Sequence, residues 1–119
     1  MVNKTINPQT AYTQTAPMQY INRPGALDEA GLFISTWGER AFISAGRTAL
    51  EKVQDRLLPS LTKYDIVFDY QVFEGECCDP NIDRIVSAAE KFNADVIICA
   101  GGGKSLDTGK AAAFTLKAP

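Results

Sequence analysis

The stretch "IICAGGGKSLDTGKAAA", residues 97–113, joins an apolar run to three glycines and then to a helical pattern. A nearly continuous apolar run is typical of a strand covered on both faces of a sheet. Glycines at its end let the backbone approach a ligand, and Ser105 is expected to cap the following helix. Because open α/β sheets bind ligands at the carboxyl ends of their strands, the stretch predicts a parallel sheet with a binding site.

Two known phosphate-binding patterns come close to this loop, and both fail on spacing. The Walker A pattern requires a glycine five positions before Gly103, where the chain has Ile98. The second Gly-Lys pair begins at Gly109 and is followed by alanine, so it fails as well. The dinucleotide pattern G-x-G-x-x-G fits Gly101 and Gly103, but Leu106 stands at its third glycine. ATP hydrolysis by a P-loop is therefore not expected.

The loop nevertheless suits a phosphate group on physical grounds. The helix after it presents unpaired N–H groups and the positive end of its dipole. Three successive glycines weaken a structure unless something requires them, which favours phosphate or pyrophosphate binding over a plain strand-to-helix connection. Lys104 reaches either a phosphate or water. Asp107 and Lys110 lie three residues apart on one helix face, a spacing also typical of surface charge pairs.

Strand and helix patterns alternate about four times along the chain. Strands are predicted in "ERAFISAG" (39–46), "YDIVFDYQVF" (64–73) and "DVIICA" (95–100), with a short extended piece before the Pro24-Gly25 turn. Helices are predicted over 27–34, from Thr48 with a disturbance at Pro59, from Asp79 as cap with Pro80 in the first position, and over 105–116. The order predicts a Rossmann-like, three-layer α/β fold, a parallel sheet with helices on both faces.

Length and composition indicate one small globular domain. The chain has 119 residues, 45% of them apolar, and 14 acidic against 12 basic residues for a net charge of −2. No nucleic-acid or membrane-surface partner is expected from this balance, and the apolar runs are too short for a membrane span. Residues 1–16 form a polar tail without the apolar segment of a secretory signal, so a cytoplasmic location is expected.

Cysteine and histidine usage narrows the chemistry. Cys77, Cys78 and Cys99 lack metal-finger spacing, and reduced thiols are expected. The chain has no histidine, which excludes Ser-His and Cys-His dyads and the commonest ligand of catalytic zinc.

Three stretches in order resemble the iron-containing (group III) alcohol and polyol dehydrogenases, most closely the glycerol dehydrogenase branch. "GGGKSLDTGKA" (101–111) resembles the family's G-G-G-[KS]-x-x-D-x-[AG]-K-A motif and is the specific match. "MQYINRPGALDE" (18–29) and "FEGECCDPNIDRI" (73–85) give supporting matches. The resemblance implies the amino-terminal domain of a dehydroquinate synthase-like or glycerol dehydrogenase-like fold. Residues 17–119 would form a partial NAD(P)-binding domain.

The resemblance implies reversible hydride transfer between an alcohol and a nicotinamide dinucleotide. The residues that it assigns to the pyrophosphate site are Gly101, Gly102, Gly103, Lys104 and Ser105. Asp107 matches the motif's Asp near the cofactor and substrate cleft, whereas the matching Lys110 is assigned to the cofactor site or to bracing the helix. Full-length relatives are expected to act on a primary or secondary alcohol or polyol, and to be homo-oligomers.

One departure from the family concerns the choice of cofactor. Where many relatives carry an Asp that contacts the ribose of NAD, this chain has Gly46 followed by Arg47. A small residue followed by a cation accommodates a 2′-phosphate, so NADP is expected to be accepted beside NAD. The alternative is that Gly46 only ends a strand and that Arg47 is solvated.

A second departure concerns the metal. In the family a helical carboxy-terminal domain supplies an Asp and two histidines for Zn or Fe, which stabilises the alkoxide. This chain stops at Pro119 with no histidine, so it is expected to represent the amino-terminal part, inactive alone and without metal ligands or catalytic residues of its own. Two alternatives stay open: a sugar-phosphate relative of the dehydroquinate synthase or glycerol-1-phosphate dehydrogenase type, and a non-catalytic nucleotide-binding module.

Overall fold

The computed structural model describes residue 21 and residues 23–118. The polar tail and most of the extended piece before Pro24 lie outside the described residues. A 3-10 turn comes first, at Ala26–Glu29. The elements that follow it are α1 (Ala30–Ile34), β1 (Arg40–Gly46), α2 (Arg47–Lys63), β2 (Val67–Phe73), α3 (Asp79–Phe92), β3 (Val96–Ala100) and α4 (Gly103–Leu116).

The three strands form a parallel sheet in the order β2-β1-β3. Ala41 of β1 pairs with Phe68 on one side and with Val96 on the other. The β1 residues Ala41 and Ile43 point to one face, and Phe42 points to the other, which explains why this strand reads as a continuous apolar run. The predicted parallel sheet is therefore confirmed.

Helices cover both faces of the sheet. On one face α2 packs against β1 through a cluster that includes Ile43 and Leu61, and α1 lies beside α2. On the other face α3 and α4 contact each other over Phe42, with Ile85 and Ala112 as buried partners. The arrangement is the three-layer α/β fold that the alternating pattern predicts.

The structure corrects both predicted helix caps. Cys78, not Asp79, occupies the N-cap of α3, and Pro80 is the second helical residue. Gly102, not Ser105, occupies the N-cap of α4, where Ser105 lies inside the first turn. Both N-cap residues have extended backbone angles and make no side-chain cap bond. The start of each helix is therefore determined by backbone conformation rather than by side-chain type.

Two further helical predictions need correction. The pattern over 27–34 gives a 3-10 turn followed by one short α-helix instead of a single helix. Pro59 lies inside α2, and the helix continues to Lys63. Leu61, beyond the proline, is fully buried against the sheet. We infer that this packing compensates for the hydrogen bond that proline cannot donate.

Leu61 provides a direct test of this packing. Leu61→Ala removes a side chain that is 0% exposed, and we expect it to lower the free energy of unfolding by about 2–5 kcal/mol. Leu32→Ala makes the same chemical change at a side chain that is 44% exposed, and we expect an effect below about 1 kcal/mol. Urea denaturation of both variants measures the difference, and equal losses would contradict the assigned core.

Candidate functional site

The site begins where the order of the strands reverses. The chain moves from β1 to β2 on one side and returns to β3 on the other side of β1. The carboxyl ends of β1 and β3 are therefore neighbours, and Ala45 pairs with Ala100. Beyond them a Cβ built on Gly101 would lie 3.6 Å from the Gly46 nitrogen. A crevice outside the carboxyl ends of strands at such a reversal is the usual ligand position in open α/β sheets.

The three loop glycines differ in what surrounds them. Gly101 has a φ of 141°, and a Cβ there would lie 2.8 Å from the Ser105 hydroxyl oxygen (Oγ), so only glycine fits. A Cβ on Gly102 or Gly103 would meet nothing within 4 Å. Gly101 therefore makes the turn, whereas Gly102 and Gly103 leave an open surface above the start of α4.

A fourth glycine lets α4 approach the sheet. Any Cβ on Gly109 would overlap the Cys99 sulfur on β3. Close helix-to-strand packing is the task of the third glycine in the dinucleotide fingerprint. In this chain Gly109 performs that task, three residues after the fingerprint position at which Leu106 stands.

An open cleft of two parts surrounds the glycine loop. The first part, here called the α2 lobe, has a volume of about 550 Å³ and lies over the first two turns of α2. The second part, the loop lobe, has a volume of about 430 Å³ and lies between the glycine loop and the β2–α3 connection. Gly102 and Ser105 line both lobes and mark their boundary.

Ser105 has the environment of a ligand-binding hydroxyl. Its side chain is 6% exposed, lines both lobes and makes no hydrogen bond to any other described residue. The N–H groups of residues 103–105 lie in the first turn of α4, where helix geometry provides no preceding carbonyl to accept from them. The next N–H group, that of Leu106, donates to the Gly102 carbonyl at 3.0 Å. These donors and the positive end of the α4 dipole point to an anion site.

Two cations at the cleft are held by carboxylates of one loop. The Arg47 guanidinium lies 3.1 Å from the Glu74 carboxylate, and the Lys104 ammonium lies 2.7 Å from the Glu76 carboxylate. All four side chains are mainly exposed. Each pair therefore contributes on the order of 0–1 kcal/mol, and an anionic ligand can displace either carboxylate at small cost.

Comparison with known proteins agrees with this geometry. The model of the family described as iron-containing alcohol dehydrogenase matches residues 17–118. The chain belongs to the iron-containing alcohol dehydrogenase family.

Several of the proteins that this chain resembles are glycerol dehydrogenases. It is 36% identical over 108 residues to the glycerol dehydrogenase of Thermotoga maritima, covering 90% of this chain and 29% of that protein. It is 32% identical over 104 residues to that of Pseudomonas putida, covering 87% and 28%. A probable glycerol dehydrogenase from Sinorhizobium meliloti superimposes with a TM-score of 0.74 at 28% identity, covering 86% of this chain and 27% of its own. The chain thus spans less than a third of these relatives and matches their amino-terminal part.

The structure brings together most of the residues that the sequence analysis assigns to the cofactor site. The assigned residues that line the cleft are Gly46, Arg47, Gly101, Gly102, Gly103, Lys104 and Ser105. Asp107 and Lys110 do not line either lobe and are exposed on α4, with no ion pair between them. Lys110 instead acts electrostatically on the Cys99 thiol.

Sequence reasoning missed the rest of the cleft lining. In the α2 lobe the missed residues are Thr48, Ala49, Lys52 and Val53, and in the loop lobe they are Phe73, Glu74 and Gly75. The first group begins directly after Arg47, and the second group begins the "FEGECC" stretch. The available signal was their position after the carboxyl end of a predicted strand, because those ends share one edge of a parallel sheet.

Neither a metal centre nor a membrane span is found in the part of the chain that the structure describes. Within residues 21 and 23–118, no three or more His, Cys, Asp or Glu side chains converge to hold a metal ion. Within the same residues, no helix has the length and apolarity needed to cross a bilayer.

Two neighbouring glycines give opposite predictions for the loop. Gly101→Ala forces a positive φ and a clash with Ser105, and we expect it to lower the free energy of unfolding by about 1–3 kcal/mol. Gly102→Ala is the matched control, because its extended backbone and open surroundings accept a methyl group with little cost. Thermal or urea unfolding of both variants checks this, and equal stability would contradict the loop geometry.

The Cys99 thiol gives a pH-dependent prediction. Burial raises its pKa from 9.0 to about 11, and the nearby Lys110 ammonium opposes that rise. The folded state therefore retains the proton more strongly, so this contribution to stability is complete below pH 9 and is lost as the pH rises towards 11. The expected loss is up to about 2 kcal/mol.

Comparison of variants isolates this effect from other groups that titrate in alkali. The wild-type chain should lose more stability than Cys99→Ala between pH 8 and pH 11, measured by urea unfolding at each pH. Cys78→Ala, at an exposed thiol, should follow the wild-type curve. Parallel curves for the wild type and Cys99→Ala would contradict the burial of this thiol.

Proposed function

We propose that this chain forms the nucleotide-binding part of an NAD(P)-linked alcohol or polyol dehydrogenase of the glycerol type. The proposal is supported by the family match and by the open glycine loop at the strand reversal. The observation that carries it is that Gly102 and Gly103 leave space above unpaired amides, in a cleft where Ser105 offers a partly buried hydroxyl.

The two lobes suit the two halves of a dinucleotide. A pyrophosphate at the boundary would accept hydrogen bonds from the N–H groups of residues 103–105 and from the Ser105 hydroxyl. The Lys104 ammonium would add a positive charge after leaving Glu76. One nucleoside would then enter the α2 lobe and the other the loop lobe.

NADP acceptance is part of the same proposal. Gly46 contributes no side chain to the α2 lobe, and Arg47 and Lys52 contribute two cations to it. A 2′-phosphate there would meet positive charge where an Asp would repel it.

When bound, a nicotinamide dinucleotide would supply the acceptor for the hydride that leaves the alcohol carbon in the complete reaction. The residues described here bind and orient the dinucleotide, and the pairing of Ala45 with Ala100 holds the two strand ends side by side beneath it. The family motif assigns Asp107 to the cofactor site as well, and its side chain is exposed on α4 outside both lobes. The ligands of the family's Zn or Fe would be residues other than those described.

The remaining elements of the proposal concern cellular context. Three unpaired thiols, of which Cys77 and Cys78 are exposed, support a reducing, cytoplasmic location. The slightly negative net charge of −2 supports a small-molecule ligand rather than nucleic acid or an anionic membrane. Homo-oligomeric assembly belongs to the proposal for the full-length enzyme.

Titration of the isotope-labelled chain with NAD tests the proposal. Amide signals of residues 101–105 should shift more than those elsewhere. Gly102→Val fills the open surface and should weaken binding by about tenfold or more, corresponding to ~1.4 kcal/mol. Ser87→Val adds the same side chain at an exposed α3 position outside both lobes and should leave affinity unchanged. The proposal fails if NAD shifts no loop amides, or if both variants bind alike.

A further inference from the structure

The ion pairs at the cleft differ in where they lie relative to the two lobes. Arg47 lines the α2 lobe and Glu74 lines the loop lobe, so their pair spans the boundary. Lys104 follows the three glycines directly, in the first turn of α4, and pairs with Glu76 of the β2–α3 connection. The two carboxylates therefore act on different cations of the site.

We propose that Glu74 is a specificity-determining residue that lowers the preference for the 2′-phosphorylated cofactor by holding Arg47. This inference rests on the proposed function, because it assumes that a nicotinamide dinucleotide occupies the cleft. A 2′-phosphate near Gly46 needs the Arg47 guanidinium as its partner. Glu74 competes for that guanidinium and neutralises the positive charge with which the phosphate would pair.

Charge balance in the α2 lobe explains why one carboxylate matters. With Arg47 paired to Glu74, Lys52 is the lobe's remaining unpaired cation among the described residues. A dinucleotide without the 2′-phosphate needs no cation at this position, so the Arg47–Glu74 pair stays intact when it binds. The phosphorylated dinucleotide has to break the pair when it binds. Its binding is therefore weakened by the free energy of the Arg47–Glu74 interaction.

Glu76 provides the internal contrast. Its partner Lys104 is adjacent to the pyrophosphate position, and the pyrophosphate is common to both cofactors. Removing the Glu76 charge should therefore change the affinity for both cofactors by the same factor. Only Glu74 should change the ratio of the two affinities.

The size of the effect follows from exposure. The Arg47 and Glu74 side chains are 66% and 68% exposed, so their pair is weak and screened by salt. We expect Glu74→Gln to raise the affinity ratio of the 2′-phosphorylated to the unphosphorylated ligand by about two- to fivefold at low ionic strength. The gain should shrink when salt is added.

The test uses ADP-ribose and 2′-phospho-ADP-ribose as probes of the 119-residue chain. Dissociation constants are measured by isotope-edited NMR titration for the wild type, Glu74→Gln, Glu76→Gln and Glu90→Gln. Glu90 is exposed on α3 and lines neither lobe, so its variant is the matched control for loss of one carboxylate. Arg47→Ala and the double variant Arg47→Ala with Glu74→Gln complete a mutant cycle.

The expected result is a raised ratio in Glu74→Gln alone, and no effect of Glu74→Gln on the ratio once Arg47 is alanine. The inference is overturned if Glu74→Gln leaves the ratio as in Glu90→Gln, or if its effect persists without Arg47. Failure of the proposed function looks different: neither probe would shift the amides of residues 101–105 in the wild type.

Discussion

The burial of β1 between two parallel neighbours is the constraint on which the rest of the structure depends. Residues Ala41 to Ala45 are at most 1% exposed, so both edges and both faces of this strand are covered. Parallel neighbours require crossover connections, and the helices of those connections supply the apolar cover. Because β2 and β3 pair on opposite sides of β1, the two crossovers lie on opposite faces of the sheet. The connections that leave the carboxyl ends of the strands therefore diverge, and a crevice forms between them.

This constraint also determines the charges that a ligand meets. The residue after β1 is Arg47, the residue after β2 is Glu74, and β3 leads through Gly101 and Gly102 into α4. Parallel strands place all of these at one edge of the sheet. The cleft therefore combines free helix amides with cations that nearby carboxylates partly neutralise. We propose that its anion affinity and its choice between related anions depend on different residues.

The sequence predicted the sheet and the glycine loop but neither helix cap nor the ion pairs. Length and continuity of apolar runs are local properties, so "DVIICA" and the helical spacing of α2 could be recognised directly. The caps at Cys78 and Gly102 depend on the extended backbone angles of those two residues, which residue type alone does not reveal. Arg47 and Glu74 are 27 residues apart in the sequence. They meet because β1 and β2 are neighbours in the sheet, and the spacing of residues along the sequence does not reveal the order of the strands.

We propose above all that the crevice at the carboxyl ends of β1 and β3 is a pyrophosphate site. A crystal structure of the chain with bound NADP tests this most directly. We expect pyrophosphate density within hydrogen-bond distance of the amides of residues 103–105 and of the Ser105 hydroxyl. Ordered cofactor bound elsewhere on the chain, with these amides contacted only by solvent, would contradict it.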